Sequence, residues 1–197
     1  MRNFKTEGIV IRRRNFKDAD RILTVLTPNN GKIAIRASGI RRIPSRRSPH
    51  VELLNHCILT LYNGHAFPVL TEAQTIDSFA AIKEDLYKIG FAYHLCELVD
   101  GLCPEGQENR AVFNLLKNTL TRLSSIIIPD LIEDTVLDSR LRGNDKEIVN
   151  NFQTELLHLL GYWNKQEFLA KEIDMDHFVE NILERKLKSK SIFAKLY

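Results

Sequence analysis

At 197 residues, 44% hydrophobic and 27% charged with 9 Gly and 6 Pro, the chain has the composition of a globular protein of one large or two small domains, which excludes disordered, fibrous and low-complexity classes. Cys57, Cys96 and Cys103 are odd in number, far apart and without a CxxC, which excludes a disulfide framework and points to a reducing cytoplasm. The net charge of +3 is unevenly divided: residues 1–80 hold 13 Lys and Arg against 6 Asp and Glu, net +7, while 81–197 hold 15 against 19, net −4.

The first 80 residues read as five short strands separated by turn signals. Thr6–Arg13 is β-branched and apolar at its centre, and its Gly8–Ile11 run is too short for a signal-peptide core. Arg21–Thr27 is similar, and Thr27-Pro28-Asn29-Asn30-Gly31 turns the chain. Lys32–Ala37 alternates, so Ile33 and Ile35 are expected on the core face with Lys32 and Arg36 on the other. Ser38–His50 has two prolines and four arginines and is expected as a basic loop. Val51–Tyr62 and Val69–Ile76 complete the set, joined through Asn63-Gly64 in a hairpin that Pro68 lengthens. Leu53–Thr71 is the longest stretch free of Asp, Glu, Lys and Arg, but its Asn, His and Pro residues make a membrane helix costly, so no membrane association is expected.

After Ile76 the period changes. Phe79, Ile82, Leu86, Ile89, Tyr93 and Cys96 mark an amphipathic helix with Asp77 or Ser78 as cap, ending near Gly101. A second helix is expected from Asn109 as cap to about Leu123, using Phe113, Leu116, Leu120 and Leu123; a third from about Glu147 to Gly161. Residues 129–146, with Gly143-Asn144-Asp145, are expected as an exposed loop insertion. A last helix starts at Asp174 or Asp176 and reaches Leu187, with Arg185, Lys186, Lys188 and Lys190 at its C-terminal end. The expected organisation is α+β: a basic five-stranded OB-fold barrel over 1–78, then an α-helical domain over 79–197.

Signals for catalysis are missing. Neither GxxxxGK[ST] nor GxGxxG occurs, no GxSxG elbow is present, and His56-Cys57 and His94-x-Cys96 lack ligand spacing for zinc. Asp18 and Asp20 lie among Arg14, Lys17 and Arg21, so salt bridging is favoured over a metal-dependent nuclease pair. No cofactor is expected. Every cation of the first 80 residues lies between Arg2 and Arg47, where only Glu7, Asp18 and Asp20 oppose them, giving this window +10. A field of that sign on a small barrel suits single-stranded nucleic acid, with Phe4, Phe16 or Tyr62 as stacking surfaces. Nucleic-acid binding is therefore the leading reading, a non-catalytic adaptor whose basic module docks an acidic partner the second, and an enzyme the last.

The order and spacing of Gly8–Arg14, Ala19–Pro28, Gly31-Lys32 and Gly39–Arg42 resemble the start of the DNA repair protein RecO family. The resemblance continues through Ser78-Phe79, Ile82–Leu86, Glu97–Asp100, Pro104–Gly106, Glu155–Tyr162 and Leu187–Lys190. It implies an OB-fold followed by a helical domain, and a non-enzymatic, cytoplasmic, nucleoid-associated mediator of RecF-pathway repair. That role comprises binding single- and double-stranded DNA, annealing complementary strands, and assisting RecA loading with RecR and the acidic C-terminal tail of single-stranded DNA-binding protein. Many members carry a four-cysteine zinc motif after the Leu-Gly-Tyr segment; here Asn164–Asp174 contains no cysteine, so zinc is not expected. Carried onto this sequence, the resemblance puts Arg12, Arg13, Arg14, Arg21, Lys32, Arg36, Arg41, Arg42, Arg46 and Arg47 on the DNA backbone, with Arg13 opposing Arg12 and Arg14 across the strand.

Overall fold

The structure, a computed structural model, describes residues 3–125, 135–162 and 174–189. The strands are β1 (Asn3–Phe16), β2 (Asp20–Thr27), β3 (Gly31–Ala37), β4 (His56–Tyr62) and β5 (Val69–Asp77). They close into a barrel in the order β1-β2-β3-β5-β4, antiparallel throughout except for the β3–β5 pair. The OB-like barrel and the helices that follow it are the α+β architecture read from the pattern.

β1 is long enough to serve two neighbours. Its first half pairs with β4 (Asn3↔Tyr62 to Ile9↔His56) and its second with β2 (Ile9↔Leu26 to Phe16↔Asp20), so this one strand carries the sheet around the ring. A bulge between Val10 and Arg12 changes which side chains face inward. Val10 and Ile11 are both buried, and the Val10 carbonyl and N–H are taken by Leu54 N (2.9 Å) and Asn55 O (3.0 Å). Gly8 lies opposite a crowded wall: a Cβ there would meet Val25 Cγ1 at 2.4 Å. The barrel interior is filled by Val10, Leu23, Val25, Ile35, Leu59 and Leu70 among others, with Phe4 packed against them.

β4 starts later than the pattern predicts. Pro49 falls in a short 3-10 turn, Ser48–Val51, and Leu54 adopts a left-handed φ of 72°, so the chain reaches strand geometry only at His56. The turn still contributes to the core through Val51, and the Asn55 amide ties it down by donating to the Pro49 and His50 carbonyls.

The chain divides into two compact units, Met1–Phe79 with Cys103–Asn114, and Ala80–Leu102 with Leu115–Tyr197. In the first, the segment after Cys103 lies along β3: Gly106 N–H donates to the Lys32 carbonyl at 2.9 Å. Gly31 sits beneath it at φ 62°, where a Cβ would fall 1.9 Å from the Gln107 carbonyl oxygen, so only glycine fits. Further on, Phe113 meets the buried His56 ring edge-on at 6.0 Å between centroids.

In the second unit the first predicted helix is two. α1 (Ala80–Lys83) ends before Asp85, whose carboxylate caps α2 (Leu86–Leu102) by accepting from Tyr87 N–H (2.8 Å) and Lys88 N–H (3.1 Å). The restart rotates the helix, leaving Leu86 exposed although its spacing places it in the core, while Phe91, Leu95 and Leu98 are buried. α3 (Arg110–Ser125) is capped by Asn109 and buries Phe113, Leu116, Leu120 and Leu123, as the spacing predicts. α4 (Thr135–Leu159) is helical through residues 135–146, where the sequence pattern gives a loop; an interior glycine costs a helix only about 1 kcal/mol, which the length of the ladder absorbs. The remainder of that expected loop, 129–134, lies outside the described residues.

α5 (Met175–Leu183) is capped by Asp174 and stops at Glu184, which is left-handed at φ 53°. Arg185, Lys186 and Lys188 therefore follow the helix rather than close it, and Lys190 is outside the described residues. The stretch they occupy is tied to α2: Glu97 accepts from the Arg185 guanidinium (2.8 Å), Lys188 N–H (3.0 Å) and Ser189 N–H (2.8 Å). Beside this tie, the Gln153 amide donates to Asp176 Oδ1 and lies 2.9 Å from His94 Nε2, which leaves His94 Nδ1 to donate to Ser189 Oγ at 2.8 Å.

Candidate nucleic-acid interface

The bulge in β1 decides where its arginines point. Partners across an antiparallel ladder share a face. Arg13 pairs with the core residue Leu23, so it turns to the barrel mouth, where its guanidinium meets the Glu52 carboxylate. Arg21, on the same side, lies 4.0 Å from Glu52 and donates to Asn15 Oδ1 at 3.3 Å. Arg12 and Arg14 pair with Thr24 and Ile22 and face outward, so the predicted opposition of Arg13 to its neighbours is present.

Across the outer face, Arg14, Ile22 and Arg36 form one cross-strand row over β1, β2 and β3. Phe16 lies beside the row, and its half-buried ring takes Lys17 Nζ at 5.6 Å and Arg36 Cζ at 5.8 Å from its centroid. Arg36 also donates to Asp20 Oδ2 through Nε (3.0 Å) and Nη2 (2.8 Å). Asp20 accepts Gly39 N–H at 2.8 Å on its other oxygen; that bond first, and Arg36 second, hold its carboxyl below the usual carboxylate range. Asp20 is thus a bracket between β2, β3 and the following loop, consistent with salt bridging rather than metal chemistry.

The loop 38–47 is anchored at both ends. Arg41 N–H donates to the Ala19 carbonyl (3.0 Å) and its guanidinium to the Asp18 carbonyl (3.2 Å). The Arg47 guanidinium bridges the Leu70 carbonyl (2.6 Å) and the Ser38 carbonyl (2.8 Å). Between them Arg42, Ile43, Pro44 and Arg46 are exposed. The side chains of Arg14, Arg42 and Arg46 form no hydrogen bond or ion pair with any described residue.

The ten cations marked from sequence therefore separate. Arg12, Arg14, Arg36, Arg41, Arg42 and Arg46 lie on the outer face of β1–β3 or on the loop bound to its β1–β2 turn. Arg13 and Arg21 serve the barrel mouth, and Arg47 holds the loop. Lys32 departs furthest from expectation. Alternation puts it on the outer face with Arg36, but the chain at Glu105 and Gly106 covers it, leaving 7% of its surface exposed. Lys17 was not marked from sequence, although its position beside Phe16 in the turn before Asp20 was visible there. Of the aromatics considered as stacking surfaces, Phe4 packs against the core, Phe16 lies among the cations, and Tyr62 is exposed at the end of β4.

A zinc site does not fit these residues. The three cysteines are separately buried, with burial pushing Cys57 and Cys96 up to about 12 and Cys103 up to about 11. Among the described residues no cluster of three or more His, Cys, Asp or Glu is placed to hold a metal ion. No helix among them is long and apolar enough to cross a membrane.

Residues 1–79 match the family described as Recombination protein O N terminal, and residues 83–131 match Recombination protein O C terminal. The chain is 35% identical over 161 residues to a DNA repair protein RecO of Roseiflexus, covering 82% of this chain and 51% of that protein. It is 35% identical over 159 residues to one of Symbiobacterium thermophilum, covering 81% and 57%, and 39% identical over 129 residues to one of Dehalococcoides mccartyi, covering 66% and 51%. The chain spans about half the length of the curated relatives it matches. Both halves of the family pattern occur here in order, on a barrel followed by helices, and the chain belongs to the RecO family of DNA repair and recombination proteins.

Proposed function

We propose that this protein is a non-catalytic, cytoplasmic recombination mediator that binds single- and double-stranded DNA through the outer face of β1–β3 and the loop 38–47. On this reading it anneals complementary strands and assists RecA loading together with RecR and the acidic tail of single-stranded DNA-binding protein. The observation that carries the reading is the division of the arginines. Arg13, Arg21 and Arg47 are committed to the barrel mouth and the loop's base and Arg36 to Asp20, while Arg14, Arg42 and Arg46 are exposed and make no ion pair with a described carboxylate. Cations held on a rigid sheet and a tethered loop neutralise phosphates without engaging base edges. Annealing needs that combination, since both backbones must be screened while the bases stay available to pair.

The test is annealing of complementary oligonucleotides labelled for energy transfer, with a salt titration of single-strand binding. Accelerated annealing with intact strands is expected. The slope of log K against log salt is expected at roughly −3 to −4, for about five engaged cations at −0.7 each. Absence of both acceleration and salt-dependent binding would overturn the proposal and leave the basic face as a docking surface for an acidic protein.

A further inference from the structure

An isoleucine stands at the tip of the basic loop where nothing in the barrel requires one. Ile43 is 103% exposed, so it contributes no burial to the fold. Yet the loop that carries it is not slack. Ile40 is fixed in the barrel core. Gly39, left-handed at φ 64°, gives its N–H to Asp20, and Arg47 grips two carbonyls. The tip itself is closed by Ser45 N–H donating to the Arg42 carbonyl at 3.0 Å, and Pro44 confines the backbone of the residue before it. Ile43 is thus held outward between two exposed arginines, Arg42 and Arg46.

We infer that Ile43 is a base-contacting wedge, packing its side chain on the face of an unstacked base while Arg42 and Arg46 hold the adjoining phosphates. The inference rests on the DNA-binding reading above and adds to it a residue that distinguishes single strands from duplex. An apolar docking site for a protein needs a contiguous apolar patch, and here the immediate neighbours are arginines and a proline. Single-stranded nucleic acid offers the matching alternation, an anionic group and a flat apolar one in every repeat. Phosphate contacts alone do not separate single from double strands, because both carry them. A side chain that needs an open base face does, since in duplex that face is stacked and the step must first be opened.

The experiment compares the full chain with its Ile43→Ser and Ile43→Leu variants. The probes are a single-stranded oligonucleotide, its duplex, and an abasic strand of equal length, all at one salt concentration. Thermal melts of all three proteins are expected to coincide, because Ile43 packs on nothing. Ile43→Ser is expected to weaken single-strand binding about fivefold, with the salt slope unchanged and Ile43→Leu near wild type. On the abasic strand wild type and Ile43→Ser are expected to bind alike. Equal binding of the base-bearing strand by wild type and Ile43→Ser overturns the wedge while leaving the DNA-binding reading standing. So does a loss that persists on the abasic strand. Failure of the wild type itself to bind any of the probes removes both.

Discussion

Neighbouring arginines in this chain do unlike work, and a substitution pair can separate it. Arg47 donates to two backbone carbonyls from opposite sides of its loop, whereas Arg46 is exposed beside it. Removing Arg47 leaves the Leu70 and Ser38 carbonyls without their charged donor, so Arg47→Ala is expected to destabilise the barrel by about 1–3 kcal/mol in denaturant unfolding. Arg46→Ala is expected to leave stability within about 0.5 kcal/mol of wild type, and to lower the magnitude of the salt slope by about 0.7 if it contacts one phosphate. A parallel loss of stability in both variants would contradict the division. Glycine makes the same point for packing. Gly8 faces Val25 Cγ1 at 2.4 Å from the position of a Cβ, with the Leu26 carbonyl oxygen at 3.2 Å, so Gly8→Ala has a stiff side chain and a backbone atom against it. Overpacking of this kind is expected to cost about 1–3 kcal/mol, read as a lower midpoint in a urea titration. Gly8 and Gly31 both belong to the motifs by which the family resemblance is recognised, and the close approaches of Val25 and Gln107 give the physical reason for a glycine at each.

At the scale of elements, legibility followed the distance over which an element is specified. β3 and α3 are readable because alternation and a 3-4 spacing with an Asn109 cap are local signals, whereas the β3–β5 and β1–β4 pairs that close the barrel join strands no short turn connects. The break between α1 and α2 is not readable, because the apolar spacing runs straight through Asp85 while its carboxylate starts a new helix. Lys32 was misplaced because the segment that covers it comes from beyond β5, and Arg13 and Arg47 find their partners far along the chain. α4 hides a further non-local feature. Asp145 is buried, and burial raises its carboxyl to about 6, with Lys88 pulling it down and Asp85 pushing it up. A carboxyl raised from 3.8 to about 6 on folding destabilises the native state when ionised, fully so above about 6 and not at all below about 4. Asp145→Asn is therefore expected to stabilise the protein by about 1–3 kcal/mol at pH 7.5, the gain disappearing as pH falls from 6 to 4 in a series of thermal melts. Glu97 behaves oppositely. Burial pushes its carboxyl up, but the bonds from Arg185, Lys188 and Ser189 outweigh it and bring the value to about 2. Its contribution is complete above about 4.5 and lost toward 2, so Glu97→Gln is expected to cost about 2 kcal/mol at neutral pH and to approach wild type on acidification.

At the scale of the whole molecule, the barrel is not finished where its last strand ends. The first compact unit includes Cys103–Asn114, and that segment closes over groups the strands leave uncovered. Gly106 N–H takes the Lys32 carbonyl, the Gln107 backbone lies on Gly31, and Phe113 packs edge-on against His56, whose Nε2 is 2.6 Å from Glu7 Oε1 on β1. The five strands thus have a cap that is encoded beyond α2. Phe113 tests this arrangement because it is 2% exposed and sits at the start of α3, inside a helix whose later residues belong to the other compact unit. Truncating a buried phenylalanine costs about 3–5 kcal/mol wherever it packs, so the informative quantity is the place of the loss rather than its size. Phe113→Ala is expected to reduce hydrogen-exchange protection at the amides that pair β1 with β4, from Glu7 to Ile58, by at least as much as at those of α2. Protection lost only in α2 and α4, with the β1–β4 amides unchanged, would mean that the cap is dispensable and the strands close the barrel unaided.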